Sequence, residues 1–256
     1  MKRCNVHMDR RNVPLSYRLF STMNFVYSHA FFLYKPFYFA YKYKSERKKI
    51  RFLENILTPG MTILDIGANI GFYSVLFSKL MNNTGTVHAF EPDPANFVRL
   101  TKVTAGIPCI QRHQAAVAEK SGTIKLYHSE KMNVDHRVYD SGDHRRVSEV
   151  SAVCIDDYFK ENVQKVDIVK LDIQGADFAA LKGMQNTINR SDGVIIISEL
   201  WPYGLRKAGT SVDEYISFLA SLNIRIHMFD DISLDECRNN SDNEYFYTDF
   251  YGSKES

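Results

Sequence analysis

Two short runs carry the residues best suited to chemistry. They are Asp65-Ile66-Gly67-Ala68-Asn69-Ile70-Gly71 and, twenty residues beyond its last glycine, Glu91-Pro92. An acid closing one strand, a tight turn of small residues, a helix and a second strand ending in an acid describe a βαβ unit that grips a nucleoside, the distal acid taking the ribose hydroxyls. A dinucleotide fingerprint, G-x-G-x-x-G, requires glycine at 67, 69 and 72, where the chain has Gly67, Asn69 and Phe72. That mismatch disfavours a nicotinamide enzyme. The looser pattern acid-x-G-x-x-x-G is met by Asp65, Gly67 and Gly71, and it suits a cofactor with no pyrophosphate to seat. S-adenosylmethionine is the obvious one. Gly67 and Gly71 would let the backbone approach its methionine part, Asn69 tolerates unusual backbone angles, and Glu91 offers two acceptor oxygens.

In open α/β sheets ligands lie beyond the carboxyl ends of the strands. The residues that follow each apolar run are therefore the candidates. Ala68, Phe72, Tyr73 and Pro92 flank the turn and the acid, and Gln114-Ala115 follow the third strand; with the residues above they form the expected cofactor set. Asp172 follows Val169-Lys170-Leu171, and Glu199 follows the very apolar Gly193 to Ser198. Asp172 fits a general base, a metal ligand or a cap for the next helix. A carboxylate at Glu199 points at the site or needs a partner, and it could bind substrate hydroxyls, or a divalent ion together with Asp172. His136 is a second candidate base, because an unperturbed imidazole titrates near neutrality; its polar loop equally permits plain exposure. Asp172, His136 and Glu199 are the expected catalytic set. Methyl transfer from a sulfonium is an in-line displacement, and a base near an alcohol acceptor helps remove the hydroxyl proton.

The elements that must position these groups follow from apolar periodicity. Strands are expected at Thr62 to Ile66, Thr86 to Phe90, near Cys109 to His113, Val166 to Leu171, Gly193 to Ser198, Ile224 to Phe229 and Glu244 to Thr248. Helices fall between them near Ile70 to Leu80, Pro94 to Thr104, Asp177 to Gln185 and Ser211 to Leu222. Such alternation means a parallel sheet with helices on both faces. Thr123 to Tyr127 and Val150 to Ile155 read as half-exposed strands around a polar loop containing His128, Asn133, Asp135, His136 and Arg137. Asp156-Asp157 read as a cap for the helix through Tyr158. Upstream, residues 15 to 57 are dense in aromatics, and the sequence predicts one helix to about Tyr34, a break at Lys35-Pro36 and a second helix from Pro36 towards Leu57. The expected organisation is a helical extension over 1–57, a catalytic domain over 58–250 and a flexible tail over 251–256.

At 256 residues with 45% apolar and 24% charged residues, the composition is that of a globular chain,. A formal charge of +2 demands no polyanionic partner. The run Lys42, Lys44, Arg47, Lys48, Lys49 and Arg51 reads first as a solvated helix face. Four scattered cysteines match no zinc spacing,, so no metal-ligating set is assigned. No apolar run approaches the roughly 20 residues that a bilayer needs. Lys2 and Arg3 are followed by no signal-like apolar core, which leads to an expected cytoplasmic location.

Taken together, Leu64 to Ser74, Ala89 to Pro94, Ile155-Asp156-Asp157 and Val169 to Asp177 resemble the FkbM family of S-adenosylmethionine-dependent methyltransferases, in the family's order and about its spacing. The similarity covers roughly residues 50 to 230. Where the family writes D-x-E-G-x-E this chain has Asp172-Ile173-Gln174-Gly175-Ala176-Asp177, so any role needing a carboxylate at 174 is in doubt. The resemblance implies a class I, Rossmann-like α/β fold, seven mostly parallel strands with the last antiparallel, and usually O-methylation. The expected acceptor is a hydroxyl on a sugar or glycan, with Trp201 and the loop near His136 compatible with carbohydrate. Alternatives are a polyketide or other small natural product, and a SAM-fold interaction module that uses the aromatic helices of residues 15–57 on a partner or membrane. Nucleic acid is not an expected partner. A homodimer and assistance by a divalent metal stay open.

Overall fold

The structure is a computed structural model, and it describes residues 26–27, 29–129, 135–160 and 165–254. Lys2, Arg3 and Asn133, named above, lie outside the described residues, as do Cys4 among the cysteines and Tyr17, Phe20 and Phe25 among the N-terminal aromatics.

Seven strands form the central sheet: β1 (Thr62–Ile66), β2 (Thr86–Phe90), β3 (Ile110–His113), β7 (Ile168–Leu171), β8 (Ile195–Leu200), β9 (Ile224–Met228) and β10 (Thr248–Lys254), in the order β3-β2-β1-β7-β8-β10-β9. β1, β2, β3, β7 and β8 pair in parallel, and β10 runs antiparallel to both β8 and β9. The last strand thus inserts between its two predecessors. Three further strands, β4 (Ala116–Val117), β5 (Gly122–His128) and β6 (Arg146–Val153), make a small second sheet in the order β4-β6-β5.

The inner strands β1, β2, β7 and β8 are covered on both faces, which is why they read as nearly continuous apolar runs,. Leu64 and Ile66 of β1 join a core with Val169, Leu171, Ile196 and the helices α6 (Asp177–Lys182) and α9 (Val212–Ser221). Ile63, just before Leu64, points the other way and packs with Tyr34, Leu53 and Phe77 from α1 (Phe31–Ser45), α2 (Arg47–Ile56) and α3 (Phe72–Leu80). The remaining helices are α4 (Pro94–Val103), α5 (Ile155–Tyr158), α7 (Gln185–Asn189), α8 (Pro202–Lys207) and α10 (Leu234–Asn239). Among the described residues, none of these helices is long and apolar enough to cross a membrane.

The structure corrects several boundaries. Pro36 does not break the first helix: α1 runs through it, and the interruption falls at Glu46. Pro36 sits on the exposed side, whereas Tyr34 and Tyr38 are buried, their rings stacked 5.4 Å apart. Tertiary burial of that aromatic face outweighs the one backbone bond that proline removes. The final strand is Thr248–Lys254, not Glu244 to Thr248, and the expected tail is strand as far as Lys254. β6 begins at Arg146, four residues before the expected Val150, because it pairs with β5 along its length. Asp156 caps α7 rather than its own helix, accepting from the Asn186 and Thr187 amides at 2.9 and 2.7 Å.

Candidate active site

β1 and β7 end side by side, Ile66 against Leu171, and the Asp172 amide donates to the Ile66 carbonyl at 3.2 Å. The turns that leave these strands touch: a Cβ on Gly67 would lie 2.1 Å from the Asp172 carbonyl oxygen, and Gly67 holds φ at +76°. Glycine is required on both counts. Its amide and that of Ala68 donate to the Phe90 carbonyl at 3.0 and 2.9 Å, which carries the turn across to Glu91. The Asn69 amide, on a residue at φ +51°, then donates to Glu91 Oε2 at 2.8 Å, while the Asp93 amide donates to Oε1 at 2.9 Å. Each Glu91 oxygen is thereby aimed and keeps accepting capacity for a further donor. Burial pushes the Glu91 carboxyl up to about 7.

A cavity of about 380 Å³ opens at these strand ends. Of the residues nominated from sequence, Gly67, Ala68, Asn69, Phe72, Tyr73, Glu91, Pro92 and Ala115 line it, together with Asp172, His136 and Glu199. Asp65, Gly71 and Gln114 are not among its lining residues. Asp65 is fully buried beneath the turn, where it accepts from the Ser74 hydroxyl at 2.6 Å and faces Lys170 Nζ at 3.4 Å. Lys170 in turn donates to the Gly67 carbonyl at 3.0 Å, so Asp65 holds the turn from below. Gly71 serves packing: a Cβ there would meet Leu100 Cδ1 of α4 at 2.8 Å. Gln114 is exposed at the sheet edge.

Sequence reading missed one wall of the cavity. Tyr38, Tyr41, Lys42 and Ser45 of α1, with Glu46 and Lys49, line it. Lys42, Glu46 and Lys49 follow one another at intervals of four and three, the spacing of a single helix face; that periodicity inside the basic run was the available signal. Lys42 Nζ bonds Glu46 Oε1 at 2.6 Å, Lys49 pairs with both Glu46 and Asp249 (2.8 Å to the latter), and the Tyr73 hydroxyl donates to Glu46 Oε2 at 3.0 Å. Burial alone would raise the Glu46 carboxyl, but the two lysines outweigh it and hold it down at about 2.

The two candidate carboxylates are driven apart by this lattice. Burial raises Asp172, yet Lys170, Lys42 and Lys49 overcome it, and the net shift is downward. Glu199 is pushed well above the usual carboxylate range by burial and then by the charges of Asp172 and Asp249. The lattice thus favours the ionised form of the first and the protonated form of the second. Asp172 is not a helix cap: the N-cap position of α6 is Ala176, with no side-chain bond, and it is Asp177 that accepts from the Gly175 amide at 3.2 Å. Gln174, at the position where the family writes glutamate, sits at φ +55°, donates to Asp172 Oδ1 at 3.3 Å and accepts from the Tyr139 hydroxyl at 2.6 Å through its carbonyl.

His136 lines the cavity with both ring nitrogens engaged or faced. The Ser129 amide donates to Nδ1 at 3.0 Å, and Nε2 lies 3.8 Å from Asp93 Oδ2. Trp201 is buried, donates from Nε1 to the Glu244 carbonyl at 3.0 Å, packs tightly on Gly204 and carries the Arg137 guanidinium 4.9 Å from its ring centre. It anchors Arg137 rather than offering an open stacking face.

The residues present fit S-adenosylmethionine: a close-set glycine turn, a buried carboxylate with both oxygens aimed by backbone amides, and apolar walls at Ile66, Phe90, Val117 and Leu126 for an adenine ring. Comparison with known proteins agrees with that geometry. Residues 65–226 match the family model of the methyltransferase FkbM domain. The hexuronic acid methyltransferase AglP of Haloferax volcanii is 28% identical over 156 residues, 60% of this chain and 62% of that protein. The 31-O-demethyl-FK506 methyltransferase FkbM of Streptomyces tacrolimicus is 38% identical over 71 residues, 27% of each. The chain thus spans less than two thirds of the length of either relative. In fold it is similar to the crystal structure of methyltransferase FkbM from Methylobacillus flagellatus, with a TM-score of 0.51 and 17% identity over 76% of this chain and 44% of that one. With its seven-stranded, mostly parallel sheet and antiparallel last strand, the protein has the class I methyltransferase fold, and it belongs to the FkbM methyltransferase family.

Proposed function

We propose that this chain is an S-adenosylmethionine-dependent O-methyltransferase whose acceptor is a sugar hydroxyl. The observation that carries the reading is one cavity lined both by the amide-aimed Glu91 and by two carboxyl groups whose titrations are driven apart, Asp172 downward and Glu199 upward. Two carboxyl groups whose environments separate their titrations are an acid and base assignment. S-adenosylmethionine supplies a methyl group on a positively charged sulfur. Glu91 accepts from the ribose hydroxyls, and the turn from Gly67 to Asn69 seats the rest of the cofactor. Asp172 would accept the proton of the acceptor hydroxyl, and Glu199, in the protonated form its burial favours, would donate a hydrogen bond that orients a neighbouring acceptor oxygen. His136 is the weaker candidate base, because its Nδ1 lone pair is taken by the Ser129 amide. Closing the site from water and aligning the reactants supplies much of the remaining acceleration.

A sugar is favoured by the density of hydroxyl-binding groups that line the cavity beside Asp172, among them Tyr41, Tyr247, Arg137 and Glu244, and by the relative named for hexuronic acid. Calorimetry with S-adenosylhomocysteine and turnover on hexuronate-containing oligosaccharides and a macrolide alcohol test the reading in two stages. No binding of S-adenosylhomocysteine overturns the methyltransferase itself. Binding with turnover of the macrolide alone overturns only the sugar.

A further inference from the structure

Beside the cavity, three side chains from distant parts of the chain converge on one point. Asp93, after β2, places Oδ2 3.0 Å from His128 Nδ1 and 3.8 Å from His136 Nε2, and all three atoms lie within 4.8 Å of one another. A tetrahedral ion with bonds of about 2.0 Å holds its ligand atoms about 3.3 Å apart. Asp93 and His128 are buried, 5% and 4% exposed.

The surroundings of each group are those of a held ligand. Asp93 uses Oδ1 to cap α4, accepting from the Asn96 amide at 2.9 Å, which leaves Oδ2 facing the histidines. His128 bonds Ser148 Oγ through Nε2 at 2.6 Å. Its Nδ1 is buried and, although close to Asp93, is not aligned with it as a hydrogen bond. A ring nitrogen fixed by a hydroxyl on one side, with the other aimed past its neighbour, is the arrangement in which an outer hydrogen bond orients a metal-binding imidazole.

We propose that Asp93, His128 and His136 bind a first-row divalent cation of the zinc type, with a fourth position open towards the cavity that His136 lines. Two imidazoles and one carboxylate make a borderline donor set that suits such ions better than calcium or magnesium. The Ser129 amide bond to His136 Nδ1 keeps the ring proton on Nε2. Coordination at Nε2 therefore shifts that proton to Nδ1 and turns the Ser129 amide away. The ion would tie the end of β5 and the segment returning at residue 135 to the N-terminus of α4. Because the Asp93 amide also aims Glu91 Oε1, the clip stands directly behind the proposed ribose acceptor.

The test uses the full chain, stripped with chelator and titrated with Zn²⁺ by calorimetry and with Co²⁺ by visible absorption. One ion per chain is expected, together with changed amide exchange over residues 129 and 135–137. Asp93→Asn keeps a good helix cap and, like His128→Ala, should weaken Zn²⁺ by more than the roughly 10–100-fold that loss of an outer partner costs; Ser148→Ala should fall within that range. His144→Asn, at an exposed histidine, should change nothing. Absence of stoichiometric binding overturns the proposal, as does binding that survives both Asp93→Asn and His128→Ala. S-adenosylhomocysteine affinity, measured on the same stripped protein, reports on the methyltransferase reading separately.

Discussion

On one wall of the cavity the turn from Gly67 to Asn69 and the carboxylate of Glu91 are fixed by short backbone bonds between neighbouring strand ends. On another, Lys42, Glu46 and Lys49 reach from the N-terminal helices to Asp249 and face Asp172 and Glu199. The first wall is made of amides and carbonyls whose positions follow from the sheet, and each of its bonds stands nearly alone. The second is a lattice of mutually dependent charges. Glu46 is ionised because two lysines surround it, and the same lysines hold down Asp172. One wall fixes position and the other fixes protonation, and a site for alkylating a hydroxyl needs both.

That contrast can be broken at several points. The largest effect is expected from Asp172→Asn, which removes the proposed proton acceptor and leaves the backbone wall intact: turnover should fall about 10²–10⁴-fold, with S-adenosylhomocysteine affinity changed little by calorimetry. An equal loss of affinity would show that the walls are not separable. Next comes Lys49→Met, which strips a buried lattice of one cation and leaves Glu46 and Asp249 under-compensated. Breaking such a pair costs about 3–5 kcal/mol, readable by urea denaturation, and Lys48→Met on the exposed flank should leave the midpoint nearly unchanged,. Glu91→Ala acts on the other wall. It should weaken S-adenosylhomocysteine by about 1.5–3 kcal/mol, the worth of bonds to a charged acceptor, while unfolding midpoints move less than for Lys49→Met.

The smallest effect is a pair of opposed pH trends. Glu91 is raised from the ordinary 4.5 to about 7, so between those values the folded chain holds a proton that the unfolded chain has released. Its contribution to stability is present below the unfolded value and is lost as pH rises through about 7,. Asp177, also lifted to about 7 by burial and by Asp172, adds to the same trend. Ribose hydroxyls donate to the ionised form of Glu91, so cofactor affinity should move the other way. Thermal stability of the ligand-free protein should fall from pH 6 to 8 while S-adenosylhomocysteine affinity rises, by at most about tenfold per unit. Parallel trends would remove Glu91 from the ribose role.

The backbone wall was legible because its determinants are local. Gly67, Asn69 and Glu91 lie in one βαβ unit whose spacing dictates the turn, while Asp172 follows β7 and Glu199 lies at the end of β8, strands whose apolar runs mark them as central. The ionic wall was not. Lys42, Glu46 and Lys49 look like a solvated helix face until the aromatic side of α1 docks on the sheet and buries them, and Asp249 is some two hundred positions away. The same long-range packing carried α1 through Pro36. Glu244 to Thr248 drew the last strand too early because its three consecutive aromatics, Tyr245, Phe246 and Tyr247, have high strand propensity,; the strand actually passes through Gly252, where a Cβ would meet Ile224 Cγ2 at 2.4 Å. His128 and His136 share one stretch of chain, but nothing in the sequence joins them to Asp93, far upstream. Only the pairing of β5 with β6 and the capping of α4 bring them together.

The insertion of β10 between β8 and β9 has a consequence for synthesis. Lys49 meets Asp249 across a separation of 200 residues, and β8 has no partner on its outer edge until β10 arrives. A chain emerging from the ribosome can therefore assemble its nucleoside-gripping turn early, but the lattice that sets the charge of Asp172 closes only when the strand around residue 249 is released. Long-range closure of this kind is slow, and the nascent protein should acquire cofactor affinity well before it acquires turnover.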